Sequence, residues 1–410
     1  MVSWVKGYNP ELIAQQMEKT KSVSGNSKVS FSGFEHSEHV VLLNSMICVK
    51  EEIPEVEKRR IINQATFNAG EKGVITQKSI LREVGKLENE FLNKEEKKYR
   101  LVTSISVSRT CPFPKVRIDG SSIVIHPRLN KTTVENRIKL MKEARHSIIS
   151  NPPNNYADVS VSVSARTTAE AAEKALERVD YVRGIWNLWK NRGYGMRRSS
   201  GQRNPVNTIL LGPIHTLHND NGSLATESWW YEPQYQGPVD LFRDSAKAEK
   251  MVEFMGKFRD LLNKSHYKDE IIQAVVRYVR SMDSRDWDDA YLRLWGVLEL
   301  LTGTVSESYA VTVRRASYMF SDKEYAYQVL THLRDYRNKS VHVGSDSGDI
   351  EALMYQLKRY VEVLIEFHVA NKYRFTSIAD AAEFMDMPND KSLIDAKISK
   401  LQHAKEFLGG

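Results

Sequence analysis

Leu333-Arg334-Asp335-Tyr336-Arg337-Asn338-Lys339-Ser340-Val341-His342-Val343-Gly344 places an arginine, a side-chain amide and a histidine within six positions. Those residue types suit metal-free chemistry on a phosphodiester. Arginine is a permanently charged fork that matches phosphate oxygens. Histidine gives and takes protons near neutrality. The run from Glu324 to Tyr336 reads as helix, with Tyr325, Val329, Leu333 and Tyr336 on one stripe. Gly344 and Ser345-Asp346-Ser347-Gly348-Asp349 mark its end. The trio therefore belongs at a helix C-terminus, where the dipole favours a protonated imidazole. Asn338 and His342 share a face if the last turn is helical. Arg337 and His342 lie roughly 140° apart on an ideal helix. They converge on one phosphate only if the helix breaks between them or a second subunit supplies the matching group. The same residue types also suit an ordinary surface helix end, because Arg and His complement the dipole.

Upstream, Leu294-Trp295-Gly296-Val297-Leu298-Glu299-Leu300-Leu301-Thr302-Gly303 reads as an apolar helix. Leu292, Trp295 and Glu299 fall on its expected core stripe. A carboxylate there is costly unless paired, and Arg337 is the candidate partner. Arg337-Asn338-x-x-x-His342 resembles the signature of the HEPN superfamily, an arginine with a polar neighbour followed by histidine four to six positions on. The Trp295-to-Glu299 helix resembles the second-helix motif of its Apea-like branch. The likeness covers roughly residues 267–372.

That resemblance implies an all-α helical bundle at the C-terminus and a metal-independent endoribonuclease. In it the ribose 2′-OH attacks the phosphate, leaving 2′,3′-cyclic phosphate and 5′-OH ends. His342 would act as base or acid, Arg337 would bind the scissile phosphate, Asn338 would orient either, and Glu299 would support them. Arg334 and Lys339 add positive charge for RNA. The resemblance also implies a homodimer with a composite site, no cofactor, and a setting in toxin or anti-phage defence. Some members of the superfamily are non-catalytic RNA-binding or protein-interaction modules, and that is the main alternative. A regulatory partner of a nucleotidyltransferase fits shorter, single-domain chains better.

After Gln234–Asp240, which reads as a linker, the periodicity is almost wholly helical: 245–264, 269–281, 288–302, 311–320, 324–339, 350–372 and 392–408. Before it the pattern is mixed. Helices are expected at 11–20, 52–69, 77–94 and 133–147. Strands are expected at 39–49, 99–108, 157–165, 207–215 and 223–231. A hairpin turning on Asp119-Gly120 is expected at 115–126. Thr167-x-x-Glu170 reads as a capping box opening the helix that holds Trp186 and Trp189. The expected fold class is thus an α+β N-terminal region over 1–235, for sensing a phage or host trigger or for recruitment, then an all-α domain over 241–410. The N-terminal region lacks Gly-x-Gly-x-x-Gly and Gly-Lys-Ser/Thr, which argues against a nucleotide-binding Rossmann or P-loop domain.

Lys190-Asn-Arg192-Gly-Tyr194-Gly-Met-Arg197-Arg198-Ser-Ser-Gly-Gln-Arg203 is a second candidate. Its basic residues could neutralise RNA phosphates and Tyr194 could stack on a base. A solvated basic loop is the plainer reading. His215-x-x-His218 is too isolated for a metal site, and Trp229-Trp230-Tyr231 reads as strand core or interface.

The 410 residues suffice for two or three domains, and 41% hydrophobic with 27% charged is ordinary for a globular chain. The net charge of +7 permits a nucleic-acid partner without demanding one. Cys48 and Cys111 are the two cysteines, which argues against a disulfide framework and fits the cytoplasm. No signal peptide and no membrane association are expected.

Overall fold

The computed structural model describes residues 2–24, 29–31, 34–126, 128–145, 155–192, 204–235, 237, 239–305, 307–343 and 349–409. At 144–145 and 341–343 the description is of backbone only. The chain opens with β1 (Ser3–Trp4), α1 (Pro10–Thr20), β2 (Lys21–Val23), β3 (Val29–Phe31), α2 (Glu35–Met46), β4 (Ile47–Cys48), α3 (Glu55–Glu71) and α4 (Gln77–Leu92). Next come β5 (Lys97–Ile105), β6 (Val116–Ile118), β7 (Ser121–Ile125), α5 (Lys131–Arg145), β8 (Ala157–Ala165), α6 (Thr168–Asn191), β9 (Ile214–Asn219) and β10 (Leu224–Tyr231). The described elements after that are helical: α7 (Ser245–Leu262), α8 (Lys268–Met282), α9 (Trp287–Thr302), α10 (Tyr309–Tyr318), α11 (Lys323–Val343), α12 (Ile350–Ala370), α13 (Ile378–Met385) and α14 (Lys391–Phe407). The fold is mixed α/β and mostly helical.

Strands β5 to β10 form one antiparallel sheet in the order β10-β9-β5-β8-β7-β6. Alternation places its side chains. On β8, Val159, Val161 and Val163 enter the core, while Ser162 and Ser164 stay half-exposed on the opposite face. The β6–β7 turn has positive φ at Asp119 (41°) and Gly120 (76°), the conformation that Asp-Gly favours in hairpins. Helix α6 crosses the sheet and is itself crossed by α8 at Gly184, where an added Cβ would meet Val275 Cγ1 at 2.7 Å. Thr167 caps α6 by accepting from the Glu170 amide. The box is only half made, because the Glu170 carboxylate accepts from Arg166 N instead.

Buried apolar residues fall into two clusters. One joins α1 to α4 around Ile62, Ile80 and Phe91. The other runs from the sheet through α6 into α7 to α13. It continues past the expected linker, Gln234–Asp240, just after which Phe242 exchanges backbone hydrogen bonds with Ser106 and Ser108 of the sheet region.

Three expectations change. His39–Val49 is not a strand. Most of it is α2, with Leu43 and Met46 buried and Val41 68% exposed, a one-sided burial that fits helix spacing. A short apolar run does not separate the two periods by itself. Residues 207–213 are not a strand either. There Thr208 N and Ile209 N donate to Asn187 Oδ1 and Leu210 N donates to Ser106 Oγ, so backbone pairing is confined to a single bridge between Leu211 and Ile105 and does not extend into a strand. Finally, α13 lay outside the expected set.

A buried polar network binds the sheet region to the later helices. Arg183 on α6 donates to Asp180 Oδ1 (2.7 Å) and forks onto Asp283 after α8 (2.9 and 2.6 Å). Arg280 on α8 reaches Asp180 and, at 2.6 Å, Glu232 just past β10. Asn207 donates to Asp283 (2.7 Å), and Asn191 donates to Asn207 and to Tyr278 (3.0 Å each). Tyr278 donates to Glu362 on α12, whose carboxylate also takes Lys358 (3.1 Å). Burial alone would depress the Arg183 guanidinium, but Asp180 and Asp283 outweigh it and hold the proton more tightly. Removing one partner strands the others. Arg183→Leu should therefore lower the unfolding free energy by about 3–5 kcal/mol, measured by urea denaturation. A change under about 1 kcal/mol would contradict the network's structural role.

Two buried histidines make stability pH-dependent. His215 Nδ1 bonds Thr103 Oγ1 (2.6 Å), and His368 lies between Tyr267 OH (3.2 Å) and the Leu301 carbonyl (2.7 Å). Burial first, then the nearby Arg280, Arg137 and Arg183, push His215 from 6.5 down to about 3. Burial, partly offset by the Leu301 carbonyl, pushes His368 from 6.5 down to about 4. Both pKa values are depressed on folding. Their contribution is thus full above pH 6.5 and is lost as pH falls towards the folded values. Each should remove about 1.4 kcal/mol per pH unit in that window. Urea denaturation from about pH 6.5 to about pH 4.5 should show that slope, reduced by about one proton in His368→Gln.

Candidate functional site at the α9–α10–α11 junction

Helix α9 starts under an Asp286 cap, whose carboxylate accepts from Asp288 N and Asp289 N, and stops at Gly303 with φ 65°. Between them, Tyr291, Leu294, Trp295, Leu298 and Leu301 are buried. Leu292 and Glu299 are only half-buried, so Glu299 sits at the rim of the core and not within it. Helix α11 buries Ala326, Leu330, Leu333 and Tyr336, while Tyr325 is 66% exposed. The buried stripe is thus turned from the expected one at its start and agrees with it at Leu333 and Tyr336.

Tyrosines fix the two helices to each other. Tyr291 OH donates to the Leu333 carbonyl at 2.7 Å. In an α-helix that carbonyl also accepts from the amide four residues on, here Arg337. Tyr336 OH donates to Asp288 Oδ1 at 2.5 Å, and the Tyr291 and Tyr336 rings meet edge to face at 5.1 Å. The turn carrying Arg337 is therefore tied to α9 by its backbone and by its neighbour.

Arg337 itself is half-buried, with its guanidinium carbon 4.3 Å from the ring centroid of Tyr309, the first residue of α10. Tyr309 meets Trp295 edge-on at 6.3 Å. Trp295 Nε1 donates to Glu299 Oε1 at 2.9 Å. Burial raises the Glu299 carboxyl pKa, against the lowering pull of the Trp295 N–H and the Arg337 charge. Helices α9, α10 and α11 thus bring together the Trp-Glu helix and Arg337, and Tyr309 stands between them.

Arg337 differs from its neighbours. Arg293 pairs with Asp289, Arg314 and Arg315 with Asp386, and Arg334 with Asp335. Among the described residues of α9 to α11, Arg337 is the arginine with an aromatic face beneath it and no carboxylate in direct ion-pair contact.

Helix α11 runs unbroken from Lys323 to Val343. Arg337 and His342 therefore keep a helical separation of roughly 140°, and the first of the two routes to convergence, a break, is absent. The His342 side chain lies outside the described residues. Asn338 is half-buried, Lys339 is exposed, and Arg334 is turned to its neighbour Asp335.

The second candidate stretch is described only at its start. Lys190 lies in the last turn of α6. Arg192 pairs with Glu366 on α12 at 2.5 Å and covers the Phe254 ring of α7 at 4.7 Å, which clamps three helices. Tyr194, Arg197, Arg198 and Arg203 lie outside the described residues. His215 and His218 are buried among hydroxyl and carbonyl partners. Trp229 and Trp230 are half-buried on the edge strand β10. No described helix is long and apolar enough to cross a membrane.

Sequence reasoning missed Tyr309. It opens a separate helix, and no motif spacing links it to Arg337. Compared with known proteins, the chain matches no protein-family model, no curated protein and no solved structure.

Tyr291→Phe removes one buried hydroxyl from the α9–α11 contact. It should lower the unfolding free energy by about 1–2 kcal/mol in denaturant titration. An unchanged midpoint would show that the hydroxyl does not hold the Arg337 turn.

Proposed function

We propose that the chain is a metal-independent endoribonuclease of the HEPN type, acting as a toxin or anti-phage defence effector. The observation that carries this reading is Arg337, a guanidinium held over Tyr309 with no paired carboxylate among the described residues, beside the Trp295–Glu299 helix that the family resemblance pairs with it. A guanidinium so placed keeps its in-plane donors for phosphate oxygens.

In this reading RNA brings its own nucleophile. A proton leaves the ribose 2′-OH, the oxygen attacks the adjacent phosphorus, and the 5′-oxygen departs with a proton. Arg337 binds the scissile phosphate and stabilises the charge of the pentavalent phosphorane. His342 takes or delivers a proton. Asn338 orients the imidazole or the phosphate, and Glu299 tunes Arg337 through its field. The products are a 2′,3′-cyclic phosphate and a 5′-OH end. DNA lacks the nucleophile and is not a substrate. Because α11 is unbroken between Arg337 and His342, a second copy is the remaining route to a shared phosphate, and the site is composite across a two-fold. The mixed α/β region before it is assigned to sensing or recruitment, and the protein acts in the cytoplasm.

A second reading draws on the same unbroken helix. If no second copy completes the site, Arg337 binds RNA or a partner without cleavage, and the domain is an interaction module.

Total RNA incubated with the purified chain in EDTA separates the two. Cleavage to cyclic-phosphate ends, lost by about 100-fold or more in His342→Ala and in Arg337→Ala, is the expected result. Intact RNA in a stable complex selects the interaction module.

A further inference from the structure

The four other described arginines of α9 to α11 are neutralised by carboxylates, whereas Arg337 has a ring face. The difference matters for what a guanidinium can do. A carboxylate partner occupies the N–H edge of the fork. An aromatic face stacked on the flat side leaves the N–H edge open. The ring that supplies this face is itself fixed. Tyr309 is half-buried, packs against the hydrophobic core, and rests edge-on against Trp295. Trp295 is 1% exposed and is held by its N–H bond to Glu299. The chain of contacts from α9 to α11 thus ends on the guanidinium, whose central carbon lies 4.3 Å from the Tyr309 ring centroid.

We propose that Tyr309 is a positioning residue for Arg337, holding the guanidinium plane so that two of its N–H groups meet two oxygens of an RNA phosphate. The proposal rests on the reading that Arg337 meets such a phosphate. Tyr309 acts through the flat face of Arg337 and makes no bond to the reacting atoms. What it supplies is orientation, which a lysine at 337 could not use, because an ammonium has no plane.

The test uses the full chain and two probes. One is a short fluorescent RNA with every 2′-hydroxyl methylated, which cannot be cut, read by anisotropy. The other is the same RNA unmodified, read by kcat and KM. Tyr309→Phe keeps the ring and should match the wild type within about twofold on both. Tyr309→Leu should bind the methylated RNA about tenfold more weakly and cut with a kcat lowered by at least about tenfold. Arg337→Lys should show a similar loss, and Tyr309→Leu added to Arg337→Lys should change little further, since the plane is already gone. Melting curves check that the folded fraction is unchanged. If Tyr309→Leu does not fold, the comparison of Arg337→Lys with wild type still decides: equal affinity and kcat overturn the proposal.

The two readings fail separately. Binding that tracks Tyr309 with no cleavage by any variant ends the nuclease reading and leaves the positioning role. Cleavage at equal rates by wild type and Tyr309→Leu ends the positioning role and leaves the nuclease. A wild type that does not bind the methylated RNA overturns the proposal.

Discussion

Arg183 is the point at which the sheet region and the later helices become one structure. Its side chain is buried, and its guanidinium makes four hydrogen bonds, to Asp180, to both oxygens of Asp283 and to the Ile209 carbonyl. A charge in that position is tolerated only when every partner is in place, because the penalty for an unpaired buried ion is several kcal/mol. Each partner comes from a different part of the chain: α6 itself, the residue after α8, and the segment leading to β9. Arg280 extends the arrangement to Glu232 beyond β10, and Asn191 and Tyr278 extend it to α12. The apolar cluster around it shares this continuity. Oily contacts can slide to nearby registers, whereas bidentate hydrogen bonds cannot.

That constraint reaches the candidate site through α8 and α12. Both pack on α9, which in turn supplies Tyr291, Trp295 and Asp288 to fix α11 and α10. Arg337 therefore stands on a rigid support with two tyrosine hydroxyls and one aromatic face in its immediate background. Orientation of a half-exposed guanidinium is otherwise lost to side-chain freedom. The backbone of α11 continues unbroken from Arg337 to His342, so the helical offset between the two positions is fixed by backbone geometry.

Periodicity carried most of the local structure. The C-terminal helices, the Asp119-Gly120 hairpin and the valine-serine strand β8 fall where spacing places them, because amphipathic repeats and turn chemistry are local properties. Where spacing misled, a competing local option was available. The apolar run at 39–49 satisfies helix and strand alike, and packing of Leu43 and Met46 chose the helix. At 207–213 the chain looks like a strand, yet Asn187 and Ser106 capture its amides, and neither is near in sequence.

By itself the sequence determined that the fold is mixed α/β, where most of the helices lie, and that Arg337, Asn338 and His342 share one helix, since each is written in spacings of a few positions. The tertiary structure alone decided that Glu299 lies at a rim, that Arg192 is spent as a clamp, that Arg337 has no ion-pair partner among the described residues, and that Tyr309 lies beneath it. Those facts depend on which side chains meet across helices far apart in the chain. Long-range meeting is set by core packing and buried ion pairing, and no local pattern encodes it.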